Sequence, residues 1–315
     1  MKSAWARTEE GLLVACLAAI VVIPLAESVL RKSLNVGIAG SAALVQHLTL
    51  FASMAGSALA ARDDKLLALF DLSGRVAIVT GGTRGIGRSI AEGLLSCGAS
   101  VAVASRKPEA CEEAATTLSK LGPTIGVPTH MGDLDAVNAL ADRTVDEWGR
   151  IDIVVNNAAN ALTLPLGELT PEAWSKSFDT NLRGPVFLVE RALPHLEATG
   201  NGAILNVISA GAFLFAANTA MYGAAKAGLM SFTRSMAAAY APRNIRVNAL
   251  APGTVDTDMV RNNTPEAQAS MAAASHMKRA ADPDEMVGPA LLMCTDLGSF
   301  ITGQVILADG GLVPH

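Results

Sequence analysis

The sequence predicts an α/β fold built on a parallel sheet, and two patterns along the chain indicate it. From Asp71 onward, short β-branched runs alternate with Ala-rich amphipathic segments, as in repeated strand–helix–strand units. The first such run, Arg75-Val-Ala-Ile-Val-Thr80, leads directly into a glycine-rich turn and a helical stretch from Arg88 to Ser96. Strands that alternate with helices form a sheet covered on both faces, so we expect a doubly wound sheet over residues 71–315.

The glycine-rich turn, Thr80-Gly-Gly-Thr-Arg-Gly-Ile-Gly87, has the context of a phosphate-binding turn in a Rossmann-type sheet. Glycines permit a tight turn and close backbone approach, and the following helix offers free amides and a positive dipole to a pyrophosphate. The spacing is Gly-x-x-x-Gly-x-Gly, and a purely structural glycine turn is the alternative. The predicted cofactor contacts here are Gly81, Thr83, Arg84, Gly85, Ile86 and Gly87.

The end of the second predicted strand, Ser100-Val-Ala-Val-Ala-Ser105, bears on the choice of cofactor. An acid about 20 residues beyond the glycines would bind the ribose 2′-hydroxyl of NAD, whereas a basic residue can accept the 2′-phosphate of NADP. Here Ser105 is followed by Arg106 and Lys107, and no acid occurs before Glu109. The pattern favours NADP(H) over NAD(H), the alternative being that Arg106 is a solvated residue before the next helix.

The composition excludes other classes of function. The formal net charge is −5, and no basic run with interleaved aromatic residues occurs, so nucleic acid is not a predicted partner. The four cysteines and five histidines show no metal-ligand spacing, so we predict no metal site and a reducing compartment.

The first seventy residues hold much of the chain's apolar character. Residues 11–26 are almost uninterrupted in apolar residues, and residues 36–61 form a second apolar run. Each run has the length of a membrane-spanning helix, so we predict a two-span transmembrane hairpin over residues 1–70 that holds the second domain, residues 71–315, at the cytoplasmic membrane face. A signal peptide and a buried soluble hairpin remain alternatives.

Residues 1–68 loosely resemble the N-terminal half of the small permease subunit of tripartite ATP-independent periplasmic (TRAP) transporters. The resemblance rests on Glu27-Ser-Val-Leu-Arg31, Leu44-Val-Gln-His47 and the run from Ala58 to Leu67. That family has four spans, of which two fit before residue 70, so the resemblance implies a truncated piece. Two alternatives follow: a membrane transport component with a nucleotide-binding domain, or a soluble cytoplasmic enzyme whose N-terminus is misassigned or fused.

Residues 71–313 resemble the short-chain dehydrogenase/reductase family, with general similarity to 3-oxoacyl-[acyl-carrier-protein] reductases. Besides the glycine turn, the chain has Tyr222-Gly-Ala-Ala-Lys226, and Ala159 stands where glycine is usual. The family's other marks occur in order: Gly132-Asp-Leu134, Asn156-Asn-Ala-Ala159, Thr180-Asn181, Asn206-Val-Ile-Ser209, Arg246-Val-Asn248, Pro252-Gly253, Ile301-Thr-Gly-Gln304 and Asp309-Gly-Gly311.

The resemblance implies a catalytic set, and the chemistry of each residue is consistent with its role. Tyr222 would exchange a proton with a carbonyl or alcohol oxygen, and Lys226, four residues away on one helix face, would lower its pKa and bind the nicotinamide ribose. Ser209 would hydrogen-bond the same oxygen, and Asn181 would complete a proton relay to Lys226.

The resemblance also implies further cofactor contacts beyond the glycine turn. Asp133 would meet the adenine, with a helix N-cap as its alternative role. The complete additional set is Ser105, Arg106, Asp133, Leu134, Asn157, Ala158, Tyr222, Lys226, Pro252, Gly253, Val255 and Thr257.

The predicted function is therefore interconversion of a carbonyl and an alcohol by an NADP(H)-dependent enzyme. We expect a small-molecule substrate, possibly acyl-linked, and a homo-oligomer, either a dimer or a tetramer. Residues 256–281 should cover the substrate, and their methionines together with Phe213-Leu-Phe215 suggest an apolar wall.

Overall fold

The computed structural model describes residues 4–34, 41, 44–49 and 65–313. The chain divides into two compact units, Met1–Ala68 and Leu69–His315. Within the first unit, helix α1 spans Ala4–Leu34 and contains Pro24, and one helical turn, α2, spans Lys65–Ala68. Near the end of α1, Arg31 pairs with Glu27 at 2.7 Å, and the Ser41 hydroxyl donates a hydrogen bond to the same carboxylate.

The described part of the first unit does not support the predicted transmembrane hairpin. No helix within the described ranges is long and apolar enough to cross a membrane. The second predicted span, residues 36–61, lies mostly outside those ranges. Membrane anchoring through residues 11–61 therefore finds no support in this structure.

The second unit contains the parallel sheet that the sequence predicts. Its seven strands are all parallel and follow the order β3-β2-β1-β4-β5-β6-β7. The order reverses between β1 and β4, which in open α/β sheets is where ligands bind at the carboxyl ends of the strands. The strands are β1 Val76–Thr80, β2 Ser100–Ser105, β3 Thr124–Pro128, β4 Ile153–Asn156, β5 Gly202–Val207, β6 Ile245–Pro252 and β7 Val305–Ala308.

Helices cover both faces of this sheet, and alternate strand residues point into separate cores. In β1, Val79 packs in the core that holds Leu94 and Met293, whereas Ile78 packs in the core that holds Leu140 and Leu188. The helices are α3 Gly85–Ser96, α4 Pro108–Leu118, α5 Leu134–Trp148, α6 Pro171–Phe178, α7 Gly184–Ala198, α8 Ala220–Tyr240, α9 Asp258–Arg261, α10 Pro265–Ala274 and α11 Val287–Cys294.

One element differs from its predicted bounds. Helix α3 begins at Gly85, three residues before the predicted Arg88, so part of the glycine turn already belongs to the first helical turn. The segment 256–281, predicted to cover the substrate, contains helices α9 and α10.

Candidate active site and dinucleotide site

The glycine turn lies at the carboxyl end of β1 and adopts backbone conformations that favour glycine. Gly81 has a φ of +66° and Gly85 a φ of +53°. The amides of Gly81 and Gly82 donate to the carbonyl of Ala104 at 2.7 and 3.3 Å, which fixes the turn to the neighbouring strand β2. A Cβ at Gly82 would lie 2.9 Å from the side chain of Val103. The turn therefore needs small residues both for its dihedral angles and for its packing.

Asn157 holds this turn from the adjacent strand end. Its side-chain amide donates to the carbonyls of Thr80 (2.9 Å) and Gly81 (3.2 Å). In return, the Thr80 hydroxyl accepts hydrogen bonds from the backbone amides of Asn157 and Ala158, both at 3.0 Å. A Cβ at Gly87 would approach the Asn157 amide well inside 3.0 Å. Asn157, predicted to line the adenosine ribose, thus directs its side chain to the glycine turn.

The start of α3 leaves backbone amides without a capping side chain. Arg84 is the N-cap residue, and its side chain does not cap the helix, which leaves the first-turn amides available to a ligand. Thr83 and Ile86 are half-buried beside it. These features fit a pyrophosphate group.

The end of β2 carries the predicted basic pair. Arg106 and Lys107 are exposed, and Arg106 makes no hydrogen bond or ion pair with any residue in the described ranges. Ser105 is half-buried, with its hydroxyl 3.5 Å from the Cys111 sulfur. Since β1 and β2 are paired through Thr80 and Ala104, this end of β2 lies beside the glycine turn.

Asp133 is the N-cap residue of α5, which is the alternative role predicted for it from the sequence. Its carboxylate accepts from the amides of Asp135 (3.0 Å) and Ala136 (3.3 Å) and so caps α5. The side chain remains exposed, so capping leaves part of the carboxylate open to solvent. Leu134 is the first residue of that helix and is half-buried.

The predicted contacts after β6 reach the glycine turn through Thr257. Pro252 ends β6, and a Cβ at Gly253 would lie 2.7 Å from the Asp309 backbone. The Val255 side chain is only 3% exposed and packs in the core, so only its backbone can face a ligand. The Thr257 methyl lies 3.1 Å from the position that a Cβ at Gly85 would take.

Lys226 is fully enclosed at the heart of the predicted catalytic set. Its side chain is 1% exposed, its Nζ donates to the Val207 carbonyl at 2.8 Å, and it lies 5.8 Å from the centre of the Tyr222 ring. Burial lowers the pKa of Lys226 from 10.5 to about 8. Helix α8 therefore places both residues of the Tyr-x-x-x-Lys pattern against the end of β5.

Ser209 lies close enough to Tyr222 to affect its pKa, and the direction of the tyrosine pKa differs from expectation. Burial raises the pKa of Tyr222, and the hydrogen bond with Ser209 opposes this rise only in part. The expected lowering by Lys226 does not occur in this structure, where burial is the largest influence on the pKa of Tyr222. Ser209 lies two residues beyond the end of β5, and its hydroxyl accepts a hydrogen bond from the Gly211 amide at 3.1 Å.

Asn181 lies in a π-helical turn, Asp179–Arg183, between α6 and α7. Its side chain is fully buried, donates to the carbonyls of Asn160 (2.8 Å) and Ser177 (2.9 Å), and accepts from the Asn160 amide at 2.9 Å. Asn181 thereby fixes the loop after β4. The structure shows this contact where the sequence predicted a relay toward Lys226. π-Turns inside helices are frequent at functional sites.

Sequence reasoning missed several residues that shape the site. Asn206 accepts from Asn156 and donates to Thr233, each at 2.9 Å, which ties β4 and β5 to α8 below Lys226. Asn156 is the last residue of β4 and Asn206 the next-to-last residue of β5, and their place in the family motifs was the available signal. Asp258 pairs with Arg84 at 2.5 Å, and no local pattern indicates a contact between residues so far apart.

Comparison with known proteins identifies the family. A family model described as "Enoyl-(Acyl carrier protein) reductase" matches residues 81–313. The chain belongs to the short-chain dehydrogenase/reductase family. Among its members, the cis-4-hydroxycyclohexanecarboxylate dehydrogenase of Sinomonas cyclohexanicum is 39% identical over 75% of this chain and 96% of its own length. Human dehydrogenase/reductase SDR family member 4 is 34% identical over 82% of this chain and 92% of its own length.

Solved structures of the short-chain dehydrogenase/reductase family share this fold. The RhlG/NADP active-site complex of Pseudomonas aeruginosa has a TM-score of 0.73 and 33% identity, covering 78% of this chain and 98% of the other. A 3-oxoacyl-(acyl-carrier-protein) reductase of Agrobacterium tumefaciens C58 with NADP bound has a TM-score of 0.74 and 32% identity, covering 79% and 98%. The predicted cofactor agrees with these two complexes. The transporter resemblance of residues 1–68 receives no support from the matches.

Proposed function

We propose that residues 71–313 form an NADP(H)-dependent oxidoreductase that interconverts a carbonyl and an alcohol, with Tyr222 as the general acid and base. The observation that carries this proposal is the grouping of Tyr222 with a buried Lys226, whose Nζ lies 5.8 Å from the centre of the tyrosine ring, and with Ser209, which is close enough to lower the pKa of Tyr222. This group follows β5, at the same edge of the sheet as the glycine turn after β1.

The raised pKa of Tyr222 suits a proton donor. A phenol whose pKa lies above its ordinary 10 stays protonated at neutral pH. In the reductive direction it can hand its proton to the carbonyl oxygen of the substrate, and Ser209 can donate a second hydrogen bond to the same oxygen as negative charge develops. In the reverse direction, the phenolate would accept the proton of the alcohol.

Lys226 places an ammonium group beside Tyr222, where it can bind the cofactor. With a pKa of about 8, its ammonium is mostly charged at neutral pH, and the bond to Val207 uses one of its three donors. The other two donors can bind the nicotinamide ribose. Asn181 supports the site from the side by fixing the loop after β4.

NADP(H) fits the dinucleotide site better than NAD(H). The cofactor supplies the hydride when bound. The open amides of α3 suit its pyrophosphate, and Arg84 and Arg106 suit a phosphate on the adenosine ribose, where no acid at the end of β2 would repel it. The NADP complexes of the neighbouring structures support the same choice.

The substrate is proposed to be a small apolar ketone or alcohol, either free or acyl-linked. Apolar side chains after Ser209 and in the segment after β6 are exposed to solvent, and Phe215 is completely so. Exposed aromatic and methionine side chains can form an adaptable apolar wall. We further propose a homo-oligomer, because Phe187 on α7 and Phe232 on α8 are also exposed.

The test is hydride transfer by the purified full-length protein. NADPH and NADH would be mixed with a panel of ketones, a 3-oxoacyl thioester and an enoyl thioester, and nicotinamide absorbance followed. We expect oxidation of NADPH by carbonyl substrates. Reduction of the enoyl thioester alone would replace the proposed reaction with reduction of a carbon–carbon double bond, and no transfer to any substrate would refute an oxidoreductase.

The chain offers a matched control for Tyr222. We expect Tyr222→Phe to lower kcat by about 100-fold or more, the usual range for a general acid. The other tyrosine, Tyr240, donates to Glu190 at 2.7 Å on α7, so Tyr240→Phe should keep kcat within about three-fold of wild type. Equal activities of the two variants would remove Tyr222 from the mechanism.

A further inference from the structure

An ion pair joins the glycine turn to the segment after β6. The Arg84 guanidinium lies 2.5 Å from the Asp258 carboxylate at the first residue of α9. Both side chains are substantially exposed, at 72% and 46%. Because water can solvate either partner once they separate, the pair can open without leaving a buried charge.

The position of Arg84 makes it available to a ligand of the dinucleotide site. It is the N-cap residue of α3, directly before Gly85, and the amide of Gly81, three residues earlier in the same turn, donates to the Ala104 carbonyl on β2. Arg106 lies two residues beyond Ala104 and has no partner among the described residues. The two arginines therefore flank the same edge of the sheet, one of them neutralised by an acid and the other free.

We propose that Asp258 competes with the ribose phosphate of NADPH for Arg84 and so sets how strongly the enzyme prefers NADPH over NADH. This inference rests on the proposed function. When the phosphate monoester binds, Arg84 exchanges the carboxylate of Asp258 for the phosphate oxygens. NADH lacks that phosphate, so it leaves the pair closed, and the carboxylate weakens NADPH binding alone.

The exchange also links the cofactor to the segment that follows β6. In the absence of the phosphate, Arg84 ties the start of α9 to the glycine turn, next to the contact between Thr257 and Gly85. Binding of NADPH releases Asp258 from this tie, whereas the second ion pair of the segment, Asp256 with Arg261 at 2.8 Å, stays closed. NADPH, but not NADH, would therefore loosen the attachment of α9.

The test compares two exchanges that each remove one negative charge, at acids two residues apart. In the full-length protein, Asp258→Asn frees Arg84 from its ion pair. Asp256→Asn is the control: it also removes one negative charge, but Asp256 pairs with Arg261, and that pair does not touch the glycine turn. The dissociation constants of NADPH and NADH would be measured from nicotinamide fluorescence for wild type, both variants, Arg84→Met and the double variant Arg84→Met/Asp258→Asn.

We expect Asp258→Asn to tighten NADPH binding by about two- to five-fold, the range set by an exposed ion pair, and to leave NADH unchanged. The effect should shrink at about 0.5 M NaCl and vanish in the Arg84→Met background. Asp256→Asn should leave the ratio of the two constants at its wild-type value.

Three results would overturn the inference: an equal effect of Asp258→Asn on both cofactors, no effect on either, or an effect that persists without Arg84. In each of these cases the wild-type protein still binds NADPH, and the proposed oxidoreductase activity stands. A wild-type protein that binds neither reduced dinucleotide would instead overturn the proposed function.

Discussion

Replacing Lys226 with Met should make the protein's stability depend on pH in a way that reports the burial of this lysine. Lys226 is 1% exposed, and its one hydrogen bond in the structure is to the Val207 carbonyl. Methionine has a similar length and no charge, so Lys226→Met removes the desolvation cost together with that bond. We expect the variant to lose activity, because it lacks the ammonium that the site needs.

The size of the effect follows from the pKa of Lys226. Burial lowers it from 10.5 to about 8, and at about 1.4 kcal/mol per pKa unit the charged form costs the folded state about 3 kcal/mol. Leaving the Val207 carbonyl without its donor costs about 1–3 kcal/mol in the variant. At neutral pH the two effects largely offset each other, and the variant should be more stable by about 0–2 kcal/mol.

The pH dependence separates these effects, because the lost hydrogen bond does not titrate. Below pH about 8, Lys226 is protonated in both the folded and unfolded states of the wild type. Between about 8 and 10.5 the unfolded state binds more protons, so the wild-type free energy of unfolding rises with pH relative to the variant. From about pH 7 to about pH 10, the free energy of unfolding of the wild type should rise by about 2.5 kcal/mol relative to that of Lys226→Met.

Urea unfolding followed by circular dichroism at several pH values measures this difference. Lys176, exposed on α6, provides the control, and Lys176→Met should differ from wild type by the same amount at every pH. A free-energy difference between wild type and Lys226→Met that stays constant from about pH 7 to about pH 10 would refute the reasoning, since it would mean that the lysine pays no desolvation cost.

Three further exchanges test the supports of the site. Gly87→Ala places a methyl group against the Asn157 amide and should weaken NADPH binding by about ten-fold or more. Gly288→Ala is the control, because its methyl group would meet no atom within 4 Å and should leave NADPH binding unchanged. Equal binding of NADPH by the two variants would contradict the packing argument. Thr80→Val removes the hydroxyl that accepts from the backbone amides of Asn157 and Ala158, and it should raise the NADPH dissociation constant about five-fold. At saturating NADPH, kcat should stay near the wild-type value. A fall in kcat without a change in the dissociation constant would contradict this prediction. Asn181→Ala frees the loop after β4 and should speed its limited proteolysis and lower kcat about ten-fold or more; unchanged proteolysis would show that other contacts hold the loop.

Much of the fold could be predicted from the sequence because its signals are local. All five residues of β1 are buried, and an apolar run between turn signals is the expected pattern for a strand covered on both faces. The start of α3 was predicted three residues late, because the glycines that allow a tight turn also read as helix-breaking residues. The two apolar runs before residue 70 have the length of a membrane span. Length and apolarity alone do not distinguish a membrane-spanning helix from another apolar segment.

The site was predictable where its geometry follows from one helix or one strand end. Tyr222 and Lys226 are four residues apart on α8, so their proximity follows from helical periodicity alone. Asn181 could be chosen only through the family resemblance, and its contact with Asn160 depends on how a π-turn packs against the loop after β4. The pair of Arg84 and Asp258 joins residues 174 positions apart, which a single sequence cannot reveal.

The pKa of Tyr222 could not be predicted because two opposing effects act on it, and only the structure gives their relative size. Burial favours the neutral form of every ionisable group, so it raises the pKa of Tyr222 and lowers that of Lys226 together. Helical spacing reveals the attraction between the phenolate and the ammonium but gives no measure of their desolvation. Burial therefore favours the protonated phenol, which suits the proton-donor role proposed for Tyr222. In the proposed reverse direction, the use of Tyr222 as a base would require a positive charge beside the phenol strong enough to reverse the effect of burial.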